Sequence, residues 1–427
     1  MAMKEEFIQF IWKNKLFQSD SLWTSDGEPI LILNTGRHNT NAGPDFFDAR
    51  IKIGETLWAG NIEIHLRASD WNRHCHQNDP VYRNTILHVV AISDIQVFND
   101  LGAAIPELVI KWPDWISRNY EMLIKSHDWV GCASRLYQVD PFKIRFFLNG
   151  VVIERLKHKI ETIRKILEET KEDWGETFYC ILAHSFGLAE NTLPFEMMAR
   201  SLPQSILAHH HDSLFQIEAL LFGQAGLLGE ELFGDDYYLE LRKEYRFLAL
   251  KYGLKPIEGH LWKFMRMHPG NFPTIRIAQF ASLIHQSQGL FGAVIEATNL
   301  EDLRHLFSLT ASEYWNDHYN FNKPSVNRKK VFGEQIFTLI VINVVVPFYF
   351  LFGDNQNKLI LKDRALEILE QLPAENNRLI NRWTEAGVVA ANALESQALL
   401  QLQRNYCEPR RCLDCTIGHK IIVHEPI

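Results

Sequence analysis

The segment Trp58-Ala-Gly-Asn-Ile-Glu-Ile-His-Leu-Arg67 admits one regular conformation, because its second half alternates polar and apolar residues without a break. A β-strand turns successive side chains to opposite faces. Asn61, Glu63, His65 and Arg67 therefore share one face, and Ile62, Ile64 and Leu66 share the other. The apolar face predicts a core beneath it. The polar face carries groups that bind metals and move protons, and it predicts a site.

The surrounding chain reads as a mixed α/β domain over residues 1–115. A helix is expected near Glu5 to Lys15, strands at Ile30 to Leu33, Phe47 to Ile53 and Leu57 to Leu66, and further apolar runs at Ile86 to Ile92 and Leu108 to Trp112. After Trp115 the spacing becomes helical, with 116–140 as a connector and 141–400 as a helical domain opening on a long helix, Phe142 to Glu169. Pro194, Pro203, Gly253 to Pro256, Pro269 to Pro273, Pro324 and Pro373 cut the remainder into ordinary helices with no fixed repeat. Residues 401–427 form a cysteine-rich tail. The expected class is α+β, a small mixed α/β domain followed by a large all-α domain, and 427 residues are enough for more than one core.

A formal charge of −8 excludes a protein that coats nucleic acid through its overall field, so a DNA or RNA partner must be met locally. Lys323, Arg328, Lys329 and Lys330, with Trp315 and Tyr319 just before them, are the candidate patch, since cations track a backbone and rings stack on bases. The same run also reads as solvated surface. The acidic N-terminal stretch lacks the apolar core of a signal peptide. The apolar run Ile336 to Phe352 contains Asn343 and Pro347 and is expected to be a core helix rather than a membrane span. Six cysteines, three scattered and three crowded near the end, do not make a secreted disulfide framework, so a reducing cytoplasm and no membrane are expected.

Gly43-Pro44-Asp45 is a turn ahead of the strand from Phe47, and the interval to Glu63 holds that strand, a turn at Gly54 and half of the next strand. Antiparallel pairing would bring the carboxylates of Asp45 and Glu63 together. Paired carboxylates suit Mg²⁺ or Mn²⁺ and leave positions for water and phosphate. This order of helix, strand, Pro44-Asp45, strand, Glu63-Ile64-His65 and strand resembles the PD-(D/E)XK nuclease superfamily over about the first quarter of the chain. The resemblance implies a nuclease-like domain in which Asp45 and Glu63 hold the metal. His65 stands where that motif has lysine; it is expected to bind the metal or orient water, with Arg67 supplying positive charge. Downstream, His74, His76, Asp79 and His88 are dense enough to line a cleft or hold zinc, although turn capping and backbone bonding explain such residues equally.

Cys407-x4-Cys412-x2-Cys415 places three thiols within reach of one ion, beside Arg404, Arg410 and Arg411. A structural zinc site completed by His419 is the first expectation; His424 or a distant cysteine could complete it instead, and an iron-sulfur cluster is the alternative. Across nearly its whole length the sequence also resembles the bacterial domain-of-unknown-function 2851 family. The residues that carry this are Gly43 to Phe46, Trp58 to His65, Asp70-Trp71 with His74 and His76, Leu87 to Val90, Asn271 to Pro273 with Arg276, and Cys412-Leu-Asp-Cys415.

Three functions are compatible with these residues. The first is a divalent-metal phosphodiesterase acting on nucleic acid through Asp45, Glu63 and His65. The second is a non-catalytic scaffold that keeps a degenerate nuclease-like domain to bind nucleic acid or protein. The third is a zinc hydrolase of a small phosphate or ester, using His65, His74, His76 and Asp79.

Overall fold

Alternation in the first hundred residues and helical spacing beyond them produce a mixed α+β architecture. The computed structural model describes residues 4–19, 21–229, 234–287 and 289–425. It divides into two units, one made of 1–147, 386–388 and 402–427, the other of 148–385 and 389–401.

Unit 1 opens with helix α1 (Glu5–Lys13), which buries Phe7, Ile8, Phe10, Ile11 and Trp12 and carries acidic residues in its first turn. Strands β1 (Leu22–Trp23), β2 (Pro29–Asn34), β3 (Arg37–His38), β4 (Phe46–Ile53), β5 (Thr56–Arg67), β6 (Thr85–Ile92) and β7 (Glu107–Val109) form one sheet. Its order is β1-β2-β4-β5-β6-β7, with β3 also on β4. The pairs from β1 through β5 are antiparallel, and β5-β6 and β6-β7 are parallel. Parallel strands need a crossover. Here it carries the short helix α2 (Asp70–Arg73) and two 3₁₀ turns, His76–Asn78 and Pro80–Tyr82.

Two glycines shape the middle of the sheet. Gly54, at φ 55°, makes the β4-β5 turn. Gly60 lies where β5 meets the incoming β6: a Cβ there would sit 2.5 Å from Ile86 Cγ2 and 2.6 Å from the Asn84 carbonyl oxygen. Both faces of β5 are covered from Ile62 to His65, so the polar face is buried as well as the apolar one.

Residues 116–140, expected as a connector, form most of helix α3 (Asp114–Lys125) and the 3₁₀ segment Ala133–Gln138 within unit 1. Residues 402–427 return to the same unit instead of standing apart as a tail. The Asn119 side chain on α3 donates to the backbone carbonyls of Ile422 and His424, at 3.2 and 2.9 Å, which explains their attachment.

Unit 2 is helical. The helix expected from Phe142 is Pro141–Glu169. The apolar run becomes Glu334–Ile340, a π-turn Val341–Val345, and Val346–Asn355. By length and composition this helix could cross a membrane, but 78% of its apolar window is buried inside the protein. Pro347 cannot donate to the preceding turn, which leaves carbonyls without partners. Lys159 Nζ supplies a donor to the Ile342 carbonyl at 3.2 Å, and burial holds that ammonium down at about 7.

Candidate metal centre

The antiparallel pairing of β4 with β5 sets Phe46 opposite Ile62, which puts Asp45 beside Glu63. The two strands are tied reciprocally. The Asp45 backbone N–H donates to Glu63 Oε2 at 3.0 Å, and the Ile64 N–H donates to Asp45 Oδ2 at 3.0 Å. Gln9 on α1 donates its side-chain N–H to Asp45 Oδ1 at 2.8 Å. A bulge follows at Asp48, where φ is 59° and the register shifts between Phe46 and Ala49. Bulges of this kind re-aim neighbouring side chains.

Parallel pairing of β5 with β6 sets Glu63 opposite His88, and β7 sets Glu107 opposite His88. His65 Nδ1 and His88 Nε2 lie 2.8 Å apart, so one of them carries the shared proton. His88 Nδ1 in turn faces Glu107 Oε2 at 3.9 Å; both are buried and otherwise unpartnered. Ser25 Oγ donates to the other Glu107 oxygen at 2.8 Å. When His88 gives its Nδ1 proton to face Glu107 and accepts from His65 Nδ1–H, the lone pair of His65 Nε2 points toward His74 and Glu63.

The crossover brings the other imidazoles. Cys75 takes a left-handed φ of 64°, reversing the chain between His74 and His76. His65 Nε2 is 3.1 Å from His74 Nδ1 and 3.7 Å from Glu63 Oε1, and His76 Nε2 is 3.3 Å from the same carboxylate oxygen. One ligating nitrogen from each of His65, His74 and His76 falls within 4.8 Å of the others. His65 is 1% exposed while His74 is open to solvent, so the group runs from the interior to the surface. Tyr82 stacks on His76 with ring centroids 3.8 Å apart, and the fully buried Trp71 packs edge-on to His76.

Burial governs the protonation of these groups. It raises Asp45 to about 8, with repulsion from Glu63 adding to the effect, and raises Glu63 to about 8, with Glu5 adding to it. It lowers His65 to about 2, helped by the neighbouring imidazoles, and His88 to about 3. His76 is lowered and Glu5 raised, in both cases chiefly by burial. At neutral pH His65 and His88 are therefore neutral and the carboxyls of Asp45 and Glu63 favour their protonated forms, whose protons a divalent ion would displace. Three imidazoles with a carboxylate suit zinc or another imidazole-binding transition metal, and they accommodate Mn²⁺ better than Mg²⁺.

Asp45, Glu63, His65, His74, His76 and His88 thus come together. Arg67 does not join them: its side chain is exposed and 3.9 Å from Asp94, while its backbone N–H donates to Asp70. Asp79 accepts from the Val81 N–H as a turn cap. Of the basic patch, Lys330 is buried, bonding the Asn316 and Arg328 carbonyls with its cation over Tyr319, and Trp315 is wholly core. Lys323, Arg328 and Lys329 are exposed. Cys407, Cys412 and Cys415 gather in unit 1 with Cys132, whereas the His419 ring packs edge-on to Phe10.

The residues unforeseen from sequence are Glu5, Gln9, Tyr82 and Glu107. Glu5 and Gln9 are four apart on α1 and share a helix face, a pairing legible in principle. Glu107 reaches the site only through strand order.

The family model described as "Protein of unknown function (DUF2851)" matches residues 5–378. No curated protein and no solved structure matches the chain.

Proposed function

We propose that this chain, which belongs to the DUF2851 family, is a metal-dependent phosphodiesterase acting on nucleic acid. The observation that carries the reading is the reciprocal tie of Asp45 and Glu63 across adjacent strands, with His65 two residues beyond on the same face. That arrangement resembles the PD-(D/E)XK nuclease motif. His65, His74, His76 and Glu63 are the ligands in this reading, and Asp45 lies beside them. A metal there would supply Lewis acidity and a water acidic enough to ionise near neutral pH. Once ionised by metal binding, the Asp45 carboxylate, which Gln9 holds by a hydrogen bond, would accept that water's proton.

A cavity of about 660 Å³ in unit 1 adds support. Five basic side chains, Lys4, Lys13, Lys125, Arg410 and Arg411, line it against three acidic ones, with Phe7, Phe10 and Tyr120 between them. The carboxylates themselves do not line it, but Gln9 does, so the residue that orients Asp45 also faces the space suited to a polyanion.

The imidazole-rich donor set favours one second reading, a zinc hydrolase of a small phosphate ester. A single assay separates the two. Cleavage of DNA, RNA and a bis-aryl phosphate is measured with Mn²⁺ or Zn²⁺ for the wild type, Asp45→Ala and Glu63→Ala. Polynucleotide cleavage lost by at least about 10³-fold in both variants supports the nuclease. Turnover of the small ester alone supports the second reading. Salt-sensitive binding without cleavage returns the domain to a scaffold role.

A further inference from the structure

We infer that Cys132, Cys407, Cys412 and Cys415 form a second metal centre in unit 1, a four-thiolate site for a zinc ion or an iron-sulfur cluster. Cys132 precedes the 3₁₀ segment Ala133–Gln138, Cys407 ends the π-turn Gln403–Cys407, and Cys415 precedes the helix Thr416–Ile422. The backbone between them is folded tightly. A Cβ on Gly418 would lie 2.2 Å from the Cys412 carbonyl oxygen, and one on Gly131 would lie 2.2 Å from the Leu123 carbonyl oxygen and 2.5 Å from Arg410 Nη1. Glycines next to the cysteines thus permit two close approaches that draw the segments together.

Arg410 holds the two segments in place. Its own φ of 57° bends the chain between Cys407 and Cys412, and its Nη2 donates to the carbonyls of Ser126 and Asp128 at 2.9 and 3.1 Å. Its Nη1 is buried with no hydrogen-bond partner. The guanidinium lies within electrostatic range of Cys132, Cys407 and Cys412, and those thiols sense one another and Cys415. A buried cationic donor without an acceptor is costly beside neutral thiols. Next to thiolates it has the acceptors it lacks. The backbone N–H groups of Gly418 and Ile417 donate toward the Cys415 sulfur in the same sense. All six cysteines are unpaired, so no disulfide competes for these sulfurs.

Four cysteine thiolates are the donor set of a structural zinc ion and of an iron-sulfur cluster alike. His419, edge-on to Phe10, takes no part.

The test uses the full chain purified without oxygen. One metal centre, read either as one equivalent of zinc or as iron with equal acid-labile sulfide and visible charge-transfer absorbance, is expected in the wild type and in His419→Ala, and is expected to be lost in Cys132→Ser. Because the serine variant can misfold, wild-type thiol alkylation is read by mass spectrometry before and after metal chelation. Cys132, Cys407, Cys412 and Cys415 are expected to react at least about 10-fold faster after chelation, while the exposed Cys75 is unchanged. Equal Cys132 reactivity in both states, loss of the metal in His419→Ala, or a wild type that neither contains nor takes up metal overturns the site.

Discussion

Both ring nitrogens of His65 are engaged, one toward His88 and one toward His74 and Glu63, so its usefulness as a ligand depends on which proton it holds. Glu107 Oε2 faces His88 Nδ1 at 3.9 Å, where an acceptor favours the tautomer that carries its proton on that nitrogen. Glu107→Gln is expected to lower metal affinity or activity about 10- to 100-fold, as loss of a group behind a ligand does, with little change in fold; metal titration by calorimetry checks it. The carboxyls set the pH dependence. Asp45 and Glu63, raised to about 8, favour their protonated forms in the metal-free fold. Their contribution to folding is fully present below the ordinary carboxyl range and is lost as pH rises through about 8. A metal requires the ionised forms. Affinity should therefore rise with pH and level off above about 8, with proton release on binding that fades over the same interval. The thermal shift on loading zinc or manganese should be larger at about pH 9 than at about pH 6; an equal or opposite shift would mean that Glu63 is not a ligand.

At the scale of elements, the join between β5 and β6 is the tightest part of the sheet that holds the site. Gly60→Ala would drive a methyl group into Ile86 and the Asn84 carbonyl, and is expected to cost about 1 to 3 kcal/mol, read as a lower denaturation midpoint. The parallel register that presents His88 to His65 depends on that join, so metal affinity should fall with it. The long strands were legible because alternation over eight to twelve residues is hard to produce otherwise, as β4 and β5 illustrate. The two-residue strands β1 and β3 were not, since two residues have no period. Trp112 lies beyond β7, where the run expected to Trp112 ends at Val109. Six of the site's residues were visible in the local pattern. Glu5, Gln9 and Glu107 were not, because only the packing of α1 and the placing of β7 on the sheet edge bring them in. Burial of the polar face of β5 was equally invisible: the crossover that covers it is made of short turns rich in polar residues.

For the whole molecule, unit 1 is discontinuous in sequence, and residues 402–427 complete it. A chain ending at Gln401 would lose the Asn119 bonds to Ile422 and His424 and the Arg410 bonds to Ser126 and Asp128. Amide exchange over α3 and Ala133–Gln138 should then speed up by orders of magnitude, while exchange in the unit 2 helices stays close to its original rate. Uniform exchange across both units would instead mean that the two melt together. The sequence split suggested by composition, at residue 115, marked where strand spacing ends, whereas the unit boundary follows contacts that no local window contains.

The bond from Arg410 to the Ser126 carbonyl joins residues 284 apart, and that from Asn119 to the His424 carbonyl joins residues 305 apart. On a ribosome adding about 5 to 20 residues per second, Asn119 emerges on the order of tens of seconds before its partners. During that wait Ile116 and Leu123, buried in the finished protein, lack the C-terminal part of their surroundings. Closing so long a loop is slow. Nascent unit 1 therefore leaves apolar faces of α3 without their C-terminal cover until residues 402–427 emerge.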